Sequence, residues 1–238
     1  MIKIGKLFAV ALVIGILIIV IEHQFTTKDS TGWHLPLSGQ VIVLDAGHGG
    51  IDGGASSQVG DLEKDISLQI TLLLRDYLQE SGALVLMTRE SDHDLAPDST
   101  KRVRSRKVED LRKRVSLINE SSSDLFISIH LNAIPSPQWH GAQTFYNRAV
   151  EGNEVLAKQI QGEITRNLEN TTREAKPINS VYLLQQATIQ GALVEVGFLS
   201  NPSEAQLLKS KDYQMKIAAA IYEGILRFAA EDPLPDAG

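Results

Sequence analysis

The sequence has 238 residues, 43% hydrophobic and 22% charged, which is enough apolar side chain for one sizeable core in a globular protein. Its 29 acidic and 23 basic residues leave a formal charge of -6, so no nucleic-acid partner is expected. The absence of cysteine excludes thiol catalysis, thiolate metal sites and disulfides.

At the N-terminus Lys3 and Lys6 precede an apolar run from Leu7 to Ile21, closed by Glu22 and His23. Fifteen residues span about 22 Å as a helix, short of the roughly 30 Å hydrocarbon layer. Residues 1–22 therefore read as a signal segment or, with Lys6 reaching the headgroups, as a membrane anchor running from Met1. No clear Ala-x-Ala pattern follows, which favours the anchor, and both readings place the rest of the chain outside the cytoplasm. Residues 23–39, with Thr26, Thr27, Ser30, Thr31, Gly32, Pro36 and Gly39, form a linker. One domain is expected over 40–230, and 231–238 form a frayed tail.

The domain opens on an apolar run, Val41 to Leu44, which predicts a buried strand ending in a loop with six glycines between Gly47 and Gly60. A helix follows from Glu63, with Ile66, Ile70, Leu73, Leu74, Tyr77 and Leu78 at helical spacing and Ser81-Gly82 as its stop. Ala83 to Thr88 is a second strand, and the strand, helix, strand order predicts parallel pairing with the first. The polar stretch from Arg89 to Lys107 reads as an exposed loop, its cations forming a solvated face or meeting anionic lipid or wall polymer. His93, between Asp92 and Asp94, is not favoured as a ligand because a flexible acidic loop lacks rigidity. Beyond come a helix from Val108 to Glu120, a buried strand Leu125 to Ile129, and a loop forced by Pro135 and Pro137, whose Trp139 and His140 are candidates to line a cleft. A strand Ala142 to Tyr146, a helix Glu151 to Leu168 and a polar segment to Ser180 follow. Val181 to Leu184 reads as a weaker strand and Ala192 to Val196 as a buried one. After a turn at Asn201-Pro202 come helices Ser203 to Lys209 and Tyr213 to Ala230.

Two strands thus deliver a histidine to one sheet edge, His48 and His130, while Glu63 opens a helix fifteen residues after His48. His, Glu and His leave a fourth position for water, the usual composition of a catalytic zinc site. Glu195 lies inside an apolar strand, where an ionised carboxylate is rare without a partner or metal, and acid/base work beside the metal gives it a reason to be there. Asp45 and Asn132 stand one strand step from the candidate ligands, open to orienting them or to plain turn capping and loop packing. His23, His34 and His140 receive no role. The glycine loop lacks the Gly-Lys-Ser/Thr of a phosphate cradle, and neither Gly-x-Ser-x-Gly nor Ser-x-x-Lys occurs.

Asp45-Ala-Gly-His48-Gly-Gly-Ile-Asp-Gly-Gly-Ala55, Glu63-Lys64, Thr88-Arg89, Asp124-Leu-Phe-Ile-Ser-Ile-His130-Leu-Asn-Ala133 and Leu193-Val-Glu195-Val-Gly-Phe-Leu-Ser-Asn201 together resemble the zinc-dependent N-acetylmuramoyl-L-alanine amidases of bacterial cell-wall turnover. The resemblance runs in order from Gln40 to about Phe228. It implies one zinc per chain held by His48, Glu63 and His130, with Glu195 catalytic, and a single α/β domain with a central mixed, mostly parallel sheet and helices on both faces. It implies a peptidoglycan substrate, and an accessory protein as a candidate partner, since relatives sometimes need one. The membrane leader and Tyr182 to Ala187 look most like the germination-specific amidases of endospore formers, which act on spore cortex. Arg114 matches a family position, although an ion pair within its helix explains it as well. Ala46 stands where the family has proline, and Gln185 and Gln186 where an arginine often precedes the final strand. Two other readings fit similar ligands: a metallo-carboxypeptidase acting on the stem peptide, and a membrane-tethered wall-binding module with a structural metal.

Overall fold

In a computed structural model of the chain, the described residues are 35–230 together with Ile14, Gly15 and Leu17, these three being helical. Apart from these three, the readings of an anchor or signal, of most of the linker and of a frayed tail fall outside the described residues. Among the described residues, no helix is long and apolar enough to cross a membrane.

The strands are β1 (Val41–Ala46), β2 (Leu84–Met87), β3 (Leu125–Asn132), β4 (Gln143–Tyr146), β5 (Lys176–Pro177) and β6 (Gln190–Phe198). They form one sheet in the order β2-β1-β3-β6-β4-β5. β1 is parallel to β2 and β3, β3 to β6, and β4 to β5, while β4 runs antiparallel to β6. This is the expected mixed, mostly parallel sheet, and its cause is visible in β1. Ile42, Val43 and Leu44 are all fully buried, because a parallel strand covered on both faces has no side to give to polar residues.

Successive side chains of each strand feed opposite layers. Ile42, Leu44, Ile127 and Val194 pack with helices α1 (Glu63–Glu80), α3 (Asn153–Leu168) and α6 (Lys211–Ala229). Val43, Phe126 and Leu193 pack with α2 (Val103–Glu120) and α4 (Tyr182–Gln186) on the other face. Asn201 caps the short α5 (Pro202–Lys209) by accepting from the Ser203 and Glu204 N–H groups.

Three readings need correction. Val181 to Leu184 is not a strand but the entry to α4. β6 already has β3 and β4 as neighbours, so no edge beside it is free, and the consecutive Leu183 and Leu184 are buried together in one helical turn. α2 begins at Val103 rather than Val108, because Arg and Lys are good helix formers and extend the helix backwards. The stretch from Arg89 is not uniformly an exposed loop either, since Arg89 is 2% exposed and the Asp94 carboxylate is buried against Arg106.

From β1 the chain passes through α1 to β2 on one side, and then through α2 to β3 on the other side of β1. The C-terminal ends of β1 and β3 therefore flank a point where the winding direction reverses, which is where open α/β sheets form a crevice.

Candidate metal centre

Three predicted side chains converge at that crevice. His48 follows the end of β1, His130 lies near the end of β3, and Glu63 is the first residue of α1, the helix that leaves β1. Their donor atoms all lie within 4.8 Å of one another. Glu63 Oε2 is 3.1 Å from His48 Nε2, Glu63 Oε1 is 2.9 Å from His130 Nδ1, and the two imidazoles meet edge to face at 5.0 Å. Ligands about 2.0–2.1 Å from a tetrahedral zinc sit about 3.3 Å apart, so these separations and this donor set fit such an ion.

Close approach at the centre depends on glycine at two positions. A side chain at Gly47 would collide with the His130 ring. At Gly54, where φ is +69°, a Cβ would lie 2.6 Å from Glu63 Oε2 and 2.7 Å from His48 Cδ2.

Each donor is held by a second group. Asp52 Oδ2 lies 2.9 Å from His48 Nδ1, leaving Nε2 to face Glu63, and Lys107 on α2 pairs with Asp52 at 3.0 Å. Glu63 accepts from the Ala55 N–H at 2.7 Å and the Leu131 N–H at 2.9 Å. Burial alone would lower the His48 pKa, but Asp52 and Glu63 outweigh it and raise it to about 9. Burial alone would raise Glu63, yet His130 and His48 hold its carboxyl well below the usual range.

Behind the His48 loop stand two buried arginines. Arg114 donates to Asp45 Oδ1 at 2.6 Å, to the Ala46 carbonyl at 2.7 Å and to the His48 carbonyl at 2.5 Å. It also pairs with Asp110 on its own helix at 2.9 Å, so the intrahelical pair and the long-range role coexist. Arg89 donates to the carbonyls of Ala46, Gly47 and Lys64, tying the loop to the first turn of α1. Asp45 accordingly neither touches a candidate ligand nor caps a turn. Its carboxylate accepts from Thr88, Ser128 and Arg114. Outside this layer the acidic stretch also braces the loop: Asp92 accepts from Gly50 N–H and Lys64, and Asp94 from Arg106. His93 contributes its carbonyl against Gly49 while its ring meets Ser91, away from the three donors.

Glu195 is paired across the parallel β3/β6 ladder with His130 and across the antiparallel ladder with Gln143. It lines a cavity of about 240 Å³ together with Asn132, Trp139, Gln143, Arg173 and Phe198. Its Oε2 is buried with no hydrogen-bond partner among the described residues. Burial raises its pKa to about 7, His130 and His48 pulling it down and Glu63 pushing it up. A carboxylate poised near neutrality and unengaged is suited to taking and returning a proton. Trp139 lines this cavity as expected, whereas His140 lines only a second cavity and turns its Nδ1 to the Asn170 carbonyl.

The sequence reading missed Asp52, Arg89 and Arg173. Asp52 had a local signal, being four residues from His48 inside the glycine loop. Arg89 stood in the Thr88-Arg89 motif of the resemblance, but nothing local showed that it holds carbonyls across the fold, and Arg173 had no signal.

Residues 42–227 match the N-acetylmuramoyl-L-alanine amidase family. The chain is 59% identical over 219 residues to a germination-specific N-acetylmuramoyl-L-alanine amidase of Bacillus subtilis, covering 91% of each protein. It superposes on the CwlD amidase of Clostridioides difficile, solved in complex with the GerS lipoprotein, with a TM-score of 0.79 and 44% identity over 81% of this chain and all of that one. A second N-acetylmuramoyl-L-alanine amidase, from Clostridium difficile 630, superposes with a TM-score of 0.72 at 29% identity, covering 82% of this chain and 98% of that one.

Proposed function

The chain belongs to the N-acetylmuramoyl-L-alanine amidase family, and from that footing we propose that it hydrolyses the amide joining N-acetylmuramic acid to L-alanine in spore peptidoglycan, with His48, Glu63 and His130 holding zinc and Glu195 moving the proton. The observation that carries this reading is Glu195: a buried, unpartnered carboxylate oxygen in a cavity beside His130.

The amide is unstrained and resonance-stabilised, so its cleavage requires an activated nucleophile, a polarised carbonyl and a proton for the departing amine. When bound, zinc supplies the Lewis acid that polarises a carbonyl and makes water acidic enough to react near pH 7. His48 offers Nε2 because Asp52 occupies Nδ1, and Glu63 offers its carboxylate with two main-chain N–H groups fixing it. Glu195 Oε2 takes a proton from the attacking water and delivers it to the alanine nitrogen as the C–N bond breaks, leaving a lactyl carboxylate and a free amine. Such positioned proton transfer commonly contributes about 10² to 10⁴ in rate. A site that only held structure would have no use for a free carboxylate at this place.

A lipoprotein partner for this chain is proposed by likeness to the CwlD amidase, whose structure contains one. The apolar run from Leu7 to Ile21 is read as an anchor or signal that puts the domain outside the cytoplasmic membrane. Mass spectrometry of peptidoglycan digested by the purified protein tests the reaction. Amidase action leaves muramic acid with a free lactyl carboxyl and a peptide beginning with L-alanine. Shortened stems still attached to the sugar would instead establish a carboxypeptidase.

A further inference from the structure

Arg173 occupies a place that the proposed reaction does not explain. Its guanidinium carbon lies 5.4 Å from the centre of the Trp139 ring and 5.3 Å from that of Phe198, so the cation rests on two aromatic side chains. It lines two cavities, as does Trp139. One, of about 240 Å³, has Glu195 on its wall, and the other, of about 480 Å³, continues past Trp139 along Gln138 and Thr171.

Cations in such a position are normally matched by an acid of the protein. Here Nη1 donates only to the neutral Gln143 Oε1 at 3.3 Å, and among the described residues Arg173 enters no ion pair. The acid that feels its charge, Glu204, is already engaged through both oxygens with the N–H groups of Gly141 and Phe198. A planar guanidinium fixed by ring contacts and short of acceptors presents its remaining N–H edge to a planar anion.

Resting on the proposed amidase reaction, we propose that Arg173, held by Trp139 and Phe198, binds a carboxylate of the stem peptide, the one on the acidic residue that follows L-alanine. An extended chain advances about 3.5 Å per residue, so this group trails the scissile amide by roughly two residue lengths. Glu195 and Arg173 both line the cavity of about 240 Å³, so each end of such a segment has a wall group to meet. The amide end would then lie at Glu195 and His130 while the acidic residue is drawn to the cation. The site thereby selects for a free acid at the second stem position, and the cavity beyond Trp139 receives the rest of the peptide.

The test uses two soluble muropeptides identical except that the acidic residue carries its free α-carboxylate in one and a primary amide in the other. Wild-type protein loaded with zinc is expected to prefer the free acid by roughly 10- to 100-fold in kcat/KM, expressed mainly in KM, as befits a charge-assisted hydrogen bond. Arg173→Gln removes that preference, and Arg173→Lys, which keeps the charge but loses the fork, retains part of it. Equal handling of the two compounds by wild type overturns the subsite and leaves the amidase reaction standing. If wild type releases neither peptide, the reaction is what fails, and calorimetric binding of the same two compounds to wild type and Arg173→Gln then decides the subsite by the same ratio.

Discussion

The two sides of the His48 loop are built on opposite rules. Behind it, Arg89, Arg114, Asp45, Thr88 and Ser128 are buried and bonded to one another and to the loop's carbonyls. In front, among the described residues, Glu195 keeps an oxygen without a partner and Arg173 enters no ion pair, and Trp139 is half exposed on the wall of a cavity. A folded chain tolerates unpaired polar groups only where something else accounts for them. On the proposed reading the satisfied side positions and the unsatisfied side reacts, so substitutions behind the loop should be read in stability and those in front in turnover.

The largest effect on stability is expected at Arg114. Arg114→Met leaves Asp45 charged and buried and frees the Ala46 and His48 carbonyls. Breaking a buried pair in this way costs about 3–5 kcal/mol, readable as a lowered urea midpoint. A midpoint equal to wild type would erase the contrast between the two sides.

Next in size is the contribution of Asp45 itself. Burial alone would raise its pKa, but Arg114, His130 and the Ser128 hydroxyl outweigh burial and hold it at about 2. Since that is below the unfolded value of about 3.9, the stabilisation is full above about pH 4 and is lost as pH falls toward 2. Asp45→Asn should therefore be less stable than wild type by on the order of 2 kcal/mol at neutral pH, with the gap closing on acidification. A gap that is independent of pH would show that Asp45 is not charged in the fold.

In front of the loop the sign reverses. Glu195→Gln removes a carboxylate whose buried Oε2 has no partner among the described residues, so the metal-free variant should be more stable than metal-free wild type by about 1 kcal/mol. A thermal midpoint below wild type would place Glu195 among the supporting residues.

What the sequence made legible follows the same division. The apolar runs of β1, β3 and β6 are continuous because parallel strands are covered on both faces, and this alone placed His48 and His130 at one sheet edge and Glu195 inside a buried strand, while the pairing of Glu195 with His130 came only from the sheet register. Glu63 was legible as the first residue of an amphipathic helix. The support was not: Arg114 reaches Asp45 across 69 positions and Arg89 reaches Ala46 across 43, and no local period records such pairings. The basic stretch looked like a solvated face because charge composition is the same whether Arg106 and Lys107 meet water or, as here, Asp94 and Asp52. Val181 to Leu184 misled for a different reason. Four residues are too few to separate a strand from one helical turn, and only the occupied edges of β6 decide between them.

Zinc content and turnover measured together on Glu195→Gln bear most directly on the division between holding and reacting. With His48, Glu63 and His130 intact, the variant is predicted to retain about one zinc per chain while turnover falls at least about 100-fold. Turnover at the wild-type rate, or loss of the zinc along with the carboxylate, would contradict it.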